Sequence, residues 1–132
     1  MIREARIHQS DGSTSISQAV NTRNLQTLDN TANNQRYFPF ISNTTRHQWE
    51  VGGPKNGQLV TTASTDFTFD SYGNPTNVTE TVTDKDSASP YANLAWTSTT
   101  VTTISPDSTA NWCLSVPTGI TITRTAAAVF AL

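Results

Sequence analysis

Threonine fills 24 of the 132 positions of this chain, mostly in short runs separated by clusters that contain Gly or Pro. Its β-branched side chain suits a pleated, half-exposed strand better than a helix. Within the runs the apolar residues recur with period two. Phe67 and Phe69 alternate with Asp66 and Thr68, Val78 and Val82 alternate with Thr79, Thr81 and Thr83, and Ile120 and Ile122 are in phase. Glu80 falls on the valine side and interrupts that stripe. Alternation of this kind marks strands with one apolar face, and no stretch carries a useful 3.6-residue period. The turn signals are Asp11-Gly12, the Gly- and Pro-rich residues 52–57, residues 70–75 and residues 105–108. The expected fold is therefore all-β, a meander of antiparallel hairpins.

Strands are expected near residues 2–9, 14–20, 48–51, 59–69, 76–83, 96–104, 112–114 and 119–124. Residues 21–35 are polar and weakly patterned, and read as a long loop from which Leu25 and Leu28 touch a core. Residues 36–41 are the densest apolar patch of the first half. Pro39 places that patch at an edge or a bend, because proline has no amide to donate to a ladder. Three regions follow: an N-terminal hairpin and polar loop (1–35), a β region (36–125) and an apolar tail (126–132).

The core that such a chain can build is small. Hydrophobic residues make up 35% and charged residues 14%, against about 45–50% (Gly included) and about 25% in ordinary domains. This polarity raises disorder as an alternative; three Trp, three Tyr and five Phe weigh against it. In so sparse a core Trp49, Trp96 and Trp112 are the expected anchors. Alternatively, if exposed on a hydroxyl-rich face, they are the aromatics that would stack on sugars.

Chemistry is sparse as well. The net charge is −2 and the basic residues are scattered, so no footprint for nucleic acid is present. No apolar run approaches the roughly 20 residues of a membrane span, and the first residues lack the apolar stretch of a signal peptide. Cys113 is the single cysteine, has no thiol-enzyme signature around it, and reads as a small packed residue. Asp84, Asp86 and Glu80 lack the spacing of a calcium loop, and His8 and His47 lack metal-ligand neighbours. No nucleophile elbow or phosphate loop occurs. No catalytic, metal or cofactor site is expected.

One segment carries a resemblance. Phe69-Asp70-Ser71-Tyr72-Gly73-Asn74-Pro75-Thr76-Asn77-Val78-Thr79 resembles a tyrosine–aspartate repeat of the Rhs family, in which an aromatic–Asp pair ends one strand, Gly-Asn makes the turn and an apolar residue sits within the next strand. Asp70, Gly73 and Val78 match; Phe69 stands where the family has tyrosine. The approach at residues 56–61 and the stretch at 112–118 are similar to segments that accompany such repeats. The resemblance implies a structural, non-catalytic piece of a larger β-sheet shell, as in Rhs toxins and the shell components of Tc-type toxin complexes, from a secreted or cell-surface parent. Its partners would be neighbouring β-repeats of that parent, or other copies through edge strands. The segment associated with Rhs self-cleavage is missing from this sequence, so no activity carries over. A secreted adhesin or carbohydrate-binding β-domain is the alternative.

Overall fold

A computed structural model describes residues 2–105 and 116–127. Its seven strands are β1 (Ile2–His8), β2 (Ser15–Thr31), β3 (Asn34–Trp49), β4 (Leu59–Phe69), β5 (Pro75–Asp84), β6 (Ala95–Ile104) and β7 (Pro117–Ala126). They lie in one antiparallel sheet in sequence order, β1 to β7. The fold is thus the all-β meander that the alternation predicts, with no helix among the described residues. Each strand pairs with the one before it because the connections are short enough for hairpins. Among the described residues β1 and β7 are the unpaired edges of the sheet. The long threonine run of residues 97–103 pairs with β7 throughout and with β5 as far as Val101, so it is not an edge.

Residues 21–35 are not a loop. β2 and β3 pair from Ser17–Gln48 to Thr31–Asn34, with register shifts between Thr22 and Arg23 and between Thr27 and Asp29, and close on a two-residue turn; this hairpin crosses the division between residues 35 and 36. β1 leaves β2 at Thr22, and β4 joins β3 only from Asn43. Apart from Phe38 and Phe40, which meet β4, the distal half is a two-stranded arm with no strand beside it, and for residues 24–31 nothing selects an apolar face and alternation carries no signal. Leu25 and Leu28 are accordingly exposed. Pro39 lies on the part of β3 that has no ladder partner on its other side, where a missing amide is tolerated.

The register sorts the side chains into two unlike faces, because successive residues point to opposite sides. One face carries Ala5 and Ala19, then Ala63 beside Val82 and Trp96, and Phe67 beside Val78, with Ile122 at the β7 edge. The other carries hydroxyls and amides. Ser64, Thr81, Thr97 and Thr125 form one row across four strands, and Asp66, Thr79, Thr99 and Thr123 form the next. The Thr81–Thr97 and Thr79–Thr99 hydroxyls lie 3.1 and 3.3 Å apart. Asn43 donates to Ser64 and Asp66 at 2.9 and 2.7 Å.

A single layer has no inside. Among the described residues no side chain is buried, apolar or polar. The chain exposes 9109 Å², whereas a compact monomer of 14.3 kDa would expose about 6,800 Å². The three Trp were expected to anchor a core. Trp96 is instead 38% exposed and Trp49 half-buried, because among the described residues no second layer lies over either face. Trp112 and Cys113 lie outside the described residues, as does the strand expected at 112–114.

Candidate functional site

Four aromatic rings cluster where the arm meets the end of β4. Two short sequences of the same pattern, Phe38-Pro39-Phe40 and Phe67-Thr68-Phe69, each put two rings on one face. Phe69 is the hub. Its ring centroid lies 5.0 Å from that of Phe40, 5.7 Å from Phe38 and 6.5 Å from Phe67, and Phe38 and Phe40 stack at 5.7 Å. All four rings are half-exposed. The sequence pattern pairs Phe67 with Phe69 and marks residues 36–41 as an apolar patch, but it does not bring Phe38 and Phe40 to Phe69. The repeated Phe-x-Phe spacing was the available signal, and the pairing of the two copies is non-local.

Chain direction reverses next to this cluster. The Asp70 amide donates to the Asn74 carbonyl at 3.0 Å, and the Gly73 amide to the Asp70 carbonyl at 3.2 Å. The Asp70 Oδ1 accepts the amides of Tyr72 and Asn74, both at 2.9 Å, while Oδ2 accepts the Asn74 side-chain amide at 2.8 Å. Partial burial raises the Asp70 carboxyl pKa. The bonds from the Asn74 side chain and from the amides of Asn74, Tyr72 and Gly73 outweigh that and hold it below its ordinary value. Gly73 has φ of +87°, and a Cβ placed on it would sit 3.1 Å from Phe38 Cζ. The absence of a side chain at Gly73 therefore serves both the turn and the approach of the ring. Val78 stands opposite Phe67 on the same face, and Tyr72 is exposed at the tip.

The same aspartate device recurs along the chain. Asp11, Asp29, Asp84 and Asp86 each accept the amide two residues on, at 2.8–3.0 Å. At the end of the sheet away from the phenylalanines, the loops at residues 9–14 and 85–94 are each tied to the one at 50–58. Gln9 donates to Asn56 at 2.7 Å, and Lys55 reaches Asp86 at 2.6 Å.

Among the described residues the two tryptophans, Trp49 and Trp96, do not share one platform. Trp49 follows His47 on the hydroxyl face, with the two rings 5.9 Å apart. Trp96 lies opposite Val82 on the apolar face, edge-on to Tyr91 at 6.1 Å. Among the described residues no group of three or more His, Cys, Asp or Glu could hold a metal ion, and no helix is long and apolar enough to cross a membrane. No protein-family model, curated protein or solved structure matches this chain.

Proposed function

We propose that this chain is a non-catalytic structural β-segment, whose chemistry is backbone pairing and the covering of its apolar face by another layer of β-structure. The observation that carries this reading is the single open sheet: two unlike faces, two unpaired edges and no buried side chain among the described residues. A sheet with an apolar face is stable when that face is packed on a second layer. The Asp70–Gly73 turn, with its carboxylate holding two backbone amides, supports a tyrosine–aspartate-repeat segment of an Rhs-type shell as the finer form of the reading. Further turns of this pattern in the flanking genomic sequence would sustain that form, and flanks without them would remove it.

The broader reading is tested on the chain itself. Purified, it is expected to be marginally folded or to self-associate, because ordering the backbone costs about 1–2 kcal/mol per residue and little burial offsets it. It is expected to show no hydrolytic or transferase activity. Thermal unfolding and light scattering across concentrations decide. A monomer with a sharp, concentration-independent transition above about 65 °C, beyond ordinary mesophilic domains, would overturn the reading and favour a self-sufficient binding domain.

A further inference from the structure

The apolar face has a self-complementary region centred on β6. Three cross-strand rows run over β5, β6 and β7: Val82–Trp96–Ala126, Glu80–Ser98–Arg124 and Val78–Thr100–Ile122. Glu80 and Arg124 are both exposed, sit on opposite sides of Ser98, and take part in no ion pair among the described residues. Trp96 and Ile122 beside them are 38% and 53% exposed.

We infer that the second layer on this face is another copy of the same chain, related by a two-fold axis that runs along β6 between the layers. Such an axis exchanges β5 with β7. It sets Glu80 of each copy opposite Arg124 of the other, Val78 opposite Ile122, and Val82 opposite Ala126, with Trp96 close to the axis. Isologous pairing of one patch with itself is the commonest way for chains to associate. Sheets pack face to face about 10 Å apart and skewed by about 30°. That skew displaces β5 and β7 little, since each lies only about 4.8 Å from the axis strand. Area favours the same occupant. The chain exposes 9109 Å², about 2,300 Å² more than a compact monomer of its mass, whereas a specific interface takes about 800 Å² from each partner. Trp96 is of the residue type that dominates the centres of such interfaces. This inference rests on the structural reading above and names the layer that covers the face.

The test exchanges charge between copies. By sedimentation velocity the chain is expected to be a dimer. Glu80→Arg and Arg124→Glu, each checked for unchanged far-ultraviolet circular dichroism, should each weaken the dimer about tenfold or more by setting like charges opposite. Mixed in equal amounts, the two variants should recover it as a heterodimer, identifiable by native mass spectrometry, because the arginine introduced in one then faces the glutamate introduced in the other. A change acting within one chain cannot be rescued in this way. Should either reversal variant misfold, Glu80→Gln at this exposed position is expected to weaken the dimer severalfold, and an unchanged dissociation constant overturns the inference. Failure of the mixture to form a heterodimer overturns it too, as does a monomeric wild-type chain across the micromolar range. Association that Thr123→Pro in the edge strand abolishes, but that Glu80→Arg leaves intact, overturns the face pairing while leaving the structural reading standing.

Discussion

The turns at Asp11 and Asp70 use the same chemistry in different surroundings. Asp11 Oδ1 accepts the amides of Ser13 and Thr14 at 2.9 Å, as Asp70 Oδ1 accepts those of Tyr72 and Asn74. Each turn contains a glycine with positive φ, +69° at Gly12 and +87° at Gly73. A Cβ on Gly12 would meet nothing within 4 Å, whereas on Gly73 it would press on Phe38. Local residues suffice to make either turn. The first is joined to distant chain only at its base, where Gln9 donates to Asn56; at the second the glycine itself meets a ring 35 positions earlier. The comparison separates what a turn contributes alone from what it contributes as part of a packed cluster.

Removing the cluster's hub should have the largest effect. Phe69→Ala loses three ring contacts, each worth about 0.5–1.5 kcal/mol beyond area. Since the rings stay half-exposed, the expected loss is about 2 kcal/mol, well short of the larger cost of emptying a closed core. Denaturant unfolding at fixed protein concentration measures it. A loss below about 0.5 kcal/mol, the size of an ordinary surface substitution, would mean that the arm does not dock on β4.

The glycines come next. Gly12→Ala should cost about 1 kcal/mol, the penalty of a Cβ at positive φ. Gly73→Ala should cost more, because its Cβ also displaces Phe38. The excess should shrink in a Phe38→Ala background, where the obstructing ring is gone. Equal costs at the two glycines, or an excess that survives Phe38→Ala, would detach the turn from the arm.

These differences follow what could be read in the sequence. Strands β4, β5 and β6 were legible because period two coincides there with one mixed apolar face and one hydroxyl face. The turn at residues 70–74 was legible because aspartate and glycine act locally. Residues 24–31 of the β2–β3 arm were not, because a two-stranded ribbon with no strand beside it has no preferred face for Leu25 or Leu28 to mark. The phenylalanine cluster was half legible: both Phe-x-Phe pairs stand in the sequence, but their meeting depends on a register set by strand pairing from Asn43 onward. The lack of a core was foreshadowed by the 35% hydrophobic content. What composition did not convey is that all described strands share one layer.

The smallest effect concerns acid, and it distinguishes hydrogen bonding from charge pairing among the turns. The Asp11 carboxyl is lowered to about 2 by the Thr14 hydroxyl first, then by the amides of Ser13 and Thr14. A carboxyl whose folded pKa lies below its unfolded value of about 3.9 stabilises the fold above that value. The contribution is lost as pH falls from about 4 through the folded pKa near 2. Asp11 is exposed, so its share of stability is small, but its titration midpoint is directly readable by carbon-detected NMR of the side-chain carboxyl. No cation contributes to its shift, so that midpoint should stay near 2 in about 1 M salt, where the screening length is about 3 Å. Asp86 provides the contrast. It is lowered first by its bond to the Lys55 ammonium, and its midpoint should climb toward the ordinary carboxylate value under the same salt. If the two midpoints moved together, the turn amides would not be what holds Asp11 ionised, and the likeness between the Asp11 and Asp70 turns would not extend to their energetics.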